Sequence, residues 1–450
     1  MMERIERLKK PICFIKSRLY LLIPLFCIFF WALLSLIKDN FKLEEAADFN
    51  SFYLAGKYIF QKPEAIYTDL IAPRYFYLPN IATVFSLLAL FDYVQACWIF
   101  FFILLIVAWL SIIEFNKILK LKGIDNKFNR FLILFTISNG LIIMANFDVL
   151  QTKFIALFLI LLFLRREIEL GSLEKNNKEY IRFLFIQLSI LVFSISLIPY
   201  LFLIIPIYLF YKVDIKDIFK KSQIEKYLIF IGTFFIQNFM FLIFPSLING
   251  FIGGLNRSFS IRLNITPEYI IAQRAILKLP PNSMNAFISS FNIPISMTLL
   301  SIISLLITGI ACIILIIRKN LSIEEKFAYF IFITIIFNVY FHNENAFVTF
   351  LPLITILFID LKTESGLINN LKKNYLNIIG LLCILISALM PPIYLFYEYL
   401  TFTKSIPLPI LIMRRSIVYL IILFTLILIK LKKNNIIKPY SLDKSRQYNS

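Results

Sequence analysis

Apolar runs recur from end to end of this chain, and many reach the roughly 17–25 residues that a helix needs to cross the hydrocarbon of a bilayer. Backbone polar groups in lipid must be satisfied within the structure itself, so such runs are read as membrane helices and the fold class as an all-α polytopic membrane protein. Composition agrees. Only 16% of residues are charged, against roughly a quarter in a soluble domain. The spans expected are 19–37, 94–116, 131–145, 149–164, 183–197, 200–211, 227–248, 295–317, 328–341, 346–359, 376–397 and 414–430, about twelve in all. They form one membrane domain over 1–430, followed by a polar tail, 431–450, whose composition predicts disorder. The first run follows Lys9, Lys10, Lys16 and Arg18, is too long for a signal-peptide core and lacks a small-residue cleavage site, so it is expected to remain as a signal anchor.

A net charge of +19 points to nucleic acid only if the positive residues form a patch. They do not: most of the 46 Lys and Arg residues fall in short loops, tails and span ends such as 117–130 and 165–182, which is the positive-inside pattern of a membrane topology. No nucleic-acid partner is expected, and the bilayer is. Both termini are then cytosolic. Residues 78–92 are apolar but short, and counting them as a span would turn those basic loops outward. They are read as an amphipathic helix lying on the outer surface. Residues 183–197 and 200–211 form a hairpin around Pro199, each too short for a comfortable independent span. The five cysteines are scattered without paired spacing, which supports neither a disulfide framework nor a zinc site.

Two polar segments lie on the outer side, 38–93 and 249–294. The first reads as two interfacial helices, 49–60 and 76–91, joined through Pro63 and Pro73. Ionisable groups collect near span mouths on this face: Asp48, Asp148, Glu344 and the only histidine, His342. At that depth a charge faces a cavity or a partner, which makes each a functional candidate. The plainer roles stay open. Asp48 precedes a helix and is also placed to cap it by accepting from Asn50 or Ser51, Asp148 sits in a three-residue turn, and His342 lies in the tight turn FHNEN. Arg257, Arg262 and Arg274 suit bidentate phosphate recognition, or are surface charges. Asn256 and Asn264 each begin an N-glycosylation acceptor pattern. One histidine excludes a multi-histidine metal centre, and no metal or other cofactor is expected.

Four patterns together resemble glycosyltransferase family 87, the polyprenyl-phosphate-mannose-dependent mannosyltransferases of the GT-C fold. Asp48-Phe49-Asn50-Ser51-Phe52-Tyr53-Leu54-Ala55-Gly56 is similar to the family's Asp-Phe-x-x-Tyr-Tyr-x-Ala-Gly. Phe76-Tyr77-Leu78-Pro79, an apolar helix and Trp98 resemble its Tyr-Pro-Pro, apolar run and Trp. Gln151 stands where the family has Gly-Gln-x-Asn, and His342 precedes Leu351-Pro352 as Trp-x-His-Tyr precedes Leu-Pro-Pro. Asn282-Ser283-x-Asn285 adds a further match. The chain departs at Ile198-Pro199 for Lys-Pro, at Leu150-Gln151-Thr152-Lys153 for Gly-Gln-x-Asn, and at Asn80 for the second proline, changes that bear on the donor sugar more than on the fold.

The resemblance implies a membrane hexosyltransferase working on the extracytoplasmic face. Its donor would be a polyprenyl-phosphate sugar, mannose or a related hexose, and its acceptor a glycolipid or glycan. Asp48 would be the general base with His342 assisting, and Tyr53, Tyr77, Gln151, Arg257, Arg262, Arg274, Asn282 and Glu344 would line the substrate. An O-antigen polymerase or ligase is the alternative enzyme, and a lipid-linked oligosaccharide flippase the alternative without catalysis.

Overall fold

The computed structural model describes residues 20–37, 41–43, 47–68, 75, 77–138, 143, 146–147, 150–170, 178–198, 201–263, 297–336 and 351–357. Among these the regular structure is helical, with no strand. Three helices are long and apolar enough to cross a membrane: α1 (Tyr20–Ile37), α4 (Tyr93–Leu121) and the Glu179–Leu197 stretch of α7 (Lys178–Leu197). The sequence expectation of a helical membrane protein is met at this level.

Local chemistry sets the helix ends. The Asp92 carboxylate accepts from the Gln95 amide at 2.9 Å and caps the start of α4. At the other end Gly123 adopts φ 82, and the amides of Gly123 and Ile124 return to the carbonyls of Lys120 and Leu119, a glycine-closed helix end. The 29 residues between these caps span about 44 Å at 1.5 Å per residue. This helix therefore continues past the expected 94–116 to include Lys117 and Lys120. The Asn126 side chain accepts from Phe128 at the start of α5 (Lys127–Ser138). Ser322 and Glu325 satisfy each other's backbone amides in a capping box that begins α13 (Ile323–Ile336).

Several expected boundaries are corrected. The helix 49–60 begins earlier, as α2 (Ala47–Tyr58), so Asp48 lies inside its first turn rather than before it. The continuous helix 76–91 is instead α3 (Pro79–Phe85) followed by a separate turn of 3₁₀ helix, Leu88–Leu90. Pro79 starts α3, and beyond it the Ser86 hydroxyl donates to the Thr83 carbonyl, a local bond that competes with helix continuation. Seven residues reach only about 10 Å, too little to cross a bilayer. Residues 183–197 belong to a helix that starts at Lys178, with Glu179 in its first turn favoured by the helix dipole. It is thus long enough to span, contrary to expectation. Its hairpin partner shrinks to α8 (Ile204–Leu209), where Pro206 removes a backbone donor.

The expected span 227–248 is broken into α9 (Lys221–Gln237), α10 (Met240–Ile243) and α11 (Ser246–Leu263). Phe244, ahead of Pro245, is driven out of the helical region to φ −124, ψ 80. The segment 249–294, expected on the outer side, consequently opens as a helix. Residues 149–164 become α6 (Lys153–Leu170), while α12 (Met297–Ile317) agrees with expectation. Only α14 (Leu351–Ile356) of 346–359 is described. Spans 376–397 and 414–430, and the tail 431–450, lie outside the described residues.

The most extensive packing joins α4 to α6, then α6 to α7 and α7 to α9, so these helices form the frame. At one end of that frame the basic loops meet. Arg165 of α6 bonds Glu114 of α4, Lys122 pairs with Glu324 at the start of α13, and the Arg130 guanidinium lies 5.3 Å from the ring of Tyr20 at the start of α1. Buried Lys226 donates to the Tyr208 carbonyl at 2.8 Å and sits 4.0 Å from that residue's ring, tying α9 to the end of α8. Glu167 accepts from Tyr208 and Gln187 at the same end.

Candidate functional site

At the opposite end of the frame, the segment from α2 to the Leu88–Leu90 turn folds down on α4. Phe49 stacks on Phe100 of α4 with ring centres 5.1 Å apart, and Phe52 stacks on Phe85 of α3 at 4.9 Å. Such ring pairs add roughly 0.5–1.5 kcal/mol each beyond area burial. Gly56 makes the α2–α3 contact possible: a Cβ there would stand 2.5 Å from the backbone carbonyl carbon of Phe85, so the two helices approach backbone to backbone. The Tyr67 hydroxyl donates to the Tyr77 carbonyl at 3.0 Å, and the Tyr75 hydroxyl donates to the Leu78 carbonyl. Burial pushes both phenols well above their ordinary range, so they remain neutral donors at any physiological pH. The result is an aromatic platform that fixes the start of α2.

Asp48 occupies that start, half-buried, one residue ahead of the stacked Phe49. A carboxylate in a first helical turn is favoured by the helix dipole by roughly 0.3–1 kcal/mol. Lys153, the half-buried first residue of α6, lies within range of the Asp48 charge. A lysine at that end of a helix is on the wrong side of the dipole, so local helix stability does not account for it.

The loop that delivers Lys153 is tightly built. The Gln151 amide donates to the Asn146 carbonyl at 2.9 Å, and Thr152 and Leu150 are buried. Leu150 has φ 50, a left-handed conformation that favours glycine and costs a branched side chain roughly 1–2 kcal/mol. This is the position at which the resembling motif has Gly. Phe147 packs on Phe101 at 5.3 Å and on Phe154 at 5.5 Å. Adjacent residues of α4, Phe100 and Phe101, thus hold the first turn of α2, which carries Asp48, and the loop that leads into Lys153.

The other expected site residues fall as follows. Gln151 is in the loop just described. Tyr53 is buried, and its hydroxyl donates to the Phe91 carbonyl at 2.9 Å, tying α2 to the entry of α4. Tyr77 is partly buried against Phe52 at 4.7 Å. Arg257 and Arg262 lie on α11, whose first half packs on the Pro63–Tyr67 turn, with Phe251 5.7 Å from Tyr67. The two segments expected on the outer side are therefore in contact. Pro352 of α14 lines a small cavity with Ser111, Asn146 and Phe154, which brings the Leu351-Pro352 segment beneath the Lys153 loop. His342, Glu344, Asp148, Arg274 and Asn282 lie outside the described residues.

Two residues recorded in the sequence only as departures from a motif acquire a place here. Asn80 is buried and donates to the Ser196 hydroxyl at 3.0 Å, joining α3 to α7 across 116 positions of sequence. Lys153 was recognisable as a cation near the start of an apolar run, at the end expected outside, where a charge is a functional candidate by default. Comparison with protein-family models, with curated proteins and with solved structures finds no match for this chain.

Proposed function

We propose that this chain is an inverting membrane glycosyltransferase of the GT-C type, transferring a hexose, mannose or a relative, from a polyprenyl-phosphate donor to a lipid-linked or glycan acceptor. The observation that carries the reading is the half-buried Asp48 carboxylate, set at the first turn of α2 over an aromatic platform. In the proposed reaction Asp48 takes the proton of the acceptor hydroxyl as its oxygen forms a bond to the anomeric carbon. The bond from that carbon to the phosphate oxygen breaks, and its electron pair leaves with polyprenyl phosphate. Cationic side chains balance the charge gathering on that phosphate, and His342 assists as proton relay or phosphate ligand.

The topology that goes with this reading crosses the bilayer about twelve times, with both termini cytosolic, α2 and α3 lying at the outer interface and the site on the extracytoplasmic face. The meeting of the basic loops at one end of the frame supports it. The test is transfer itself. Purified protein in lipid is offered a panel of radiolabelled polyprenyl-phosphate sugars together with lipid and glycan acceptors, and label from at least one donor is expected in an acceptor. Absence of transfer from every donor would sink the proposal.

A further inference from the structure

The loop between α8 and α9 is held by its own bonds and by lysines around it. Lys212 turns the chain out of α8 with φ 57, and its ammonium lies 5.1 Å from the ring centre of Tyr211. Lys326 of α13 stands 5.3 Å from the same ring and donates to the Ile316 carbonyl at 3.4 Å. Lys319 pairs with Asp214, so the end of α12 and this loop form one surface. Within the loop the amide of Asp217 returns to the Asp214 carbonyl at 2.8 Å and that of Lys220 to the Asp217 carbonyl at 3.0 Å. A loop so fixed nonetheless holds Phe219 out, 83% exposed.

Residues 210–221 and 317–320 carry six cations, all exposed, against two carboxylates. Asp217 accepts from Lys220 at 2.9 Å and Asp214 takes Lys319, while among the described residues Lys216, Lys221 and Arg318 enter no ion pair. The apolar faces that lead here set the depth. Ile224, Leu228 and Ile231 recur along one exposed face of α9, and Ile313 and Ile317 are exposed at the end of α12. In a membrane-embedded helical protein such faces meet lipid chains, so cations that begin where the faces end stand at headgroup level.

We infer that this surface docks on anionic phospholipid, with the Phe219 ring entering the boundary between headgroups and chains and Lys216, Lys221 and Arg318 meeting the lipid phosphates. Phenylalanine set among lysines beside an apolar face is the composition of an interfacial anchor, and each basic residue near an anionic leaflet multiplies the attraction about fivefold. A soluble acidic partner would use the cations and leave the ring in water. The surface lies at the opposite end of the frame from Asp48 and is independent of any transfer chemistry.

The experiment uses the full-length protein in phosphatidylcholine nanodiscs and reads the indole introduced by Phe219→Trp, as the difference in emission between that chain and the wild type, with Trp31, Trp98 and Trp109 common to both. The probes are phosphatidylglycerol and phosphatidylcholine with brominated chains, added at equal fractions, and the thermal midpoint reports folding. The added emission is expected to be quenched, at least about threefold more strongly by the phosphatidylglycerol, with the difference fading at high salt. Lys216→Gln with Lys221→Gln is expected to bring the two lipids near parity, and Lys216→Gln with Arg318→Gln takes its place should that chain not fold. Lys120→Gln with Lys127→Gln, which removes two exposed cations elsewhere at the same end, is expected to leave the preference intact. Quenching by neither lipid would mean that the loop stands off the leaflet, and equal quenching by both would mean an apolar contact without headgroup recognition. Either result overturns the assignment, as would equal losses from the two pairs of substitutions, which would trace the preference to the general field of the basic end.

Discussion

At the scale of the residue, Asp48 has two possible employments, and chemistry separates them. As an electrostatic stabiliser of the α2 start it would be well replaced by Asn, which serves about equally at helix N-termini. As a general base it would not, since the amide cannot accept a proton and loss of a positioned base costs about 10²–10⁴-fold in rate. Asp48→Asn is therefore expected to lose transfer by at least a hundredfold, with a stability loss of about 1 kcal/mol or less as the charge at the helix start is removed. Turnover measured beside the thermal midpoint decides, and retention of more than about a tenth of the activity would remove Asp48 from the base's role. His342→Ala, assayed in parallel, is expected to lower turnover without lowering the midpoint.

At the scale of the element, the α2–α3 segment depends on contacts that leave no slack. Gly56 lies against the backbone of Phe85 and Ser86, where no side chain can swing aside. Gly56→Ala should part α2 from α3 and destabilise the protein by about 1–3 kcal/mol, seen as a lower thermal midpoint, with transfer reduced as well because Asp48 rides on α2. An unchanged midpoint would mean that the two helices do not meet there. At the other end of the frame Glu114 accepts from both Arg165 and Lys117. Glu114→Ala leaves a largely buried guanidinium short of its partner on α4 and should cost about 2 kcal/mol, whereas Lys117→Ala, at an exposed position, should cost under about 1 kcal/mol. Equal effects of the two would show that the α4–α6 tie does not run through Arg165.

At the scale of the whole molecule, the sidedness of the frame is open to direct measurement. On a cysteine-free background, an impermeant thiol reagent applied to intact cells should label Gln61→Cys in the first outer segment and spare Leu170→Cys at the end of α6. The reverse pattern would invert the molecule and place Asp48 and Lys153 on the cytosolic side, away from the proposed donor. The length of α4 and the brevity of α3 agree with one another here. Were α3 a crossing segment, the Asp92 cap and the Lys122–Glu324 pair would exchange sides, and the basic loops gathered beside Glu114 would face outward.

What the sequence determined by itself is what can be summed along the chain: apolar run lengths that select helices in lipid, and a bias of Lys and Arg into loops that the structure gathers at one end of the frame. Its errors were of the same local kind. The hairpin 183–211 was divided by hydropathy alone, and the helix actually begins at Lys178, because charged residues within a helix end lower the hydropathy without breaking the hydrogen-bond ladder. Only the tertiary structure decided which distant residues meet. Asn80 with Ser196 is a pair made by helix packing, and an aromatic ladder on α4 with a left-handed turn at Leu150 sets Lys153 within range of the Asp48 charge; no periodicity within any of these segments encodes the other. Lys153 read in sequence as a lapse from a motif. Its meaning came from being set, roughly a hundred residues from Asp48 along the chain, within reach of that carboxylate's charge.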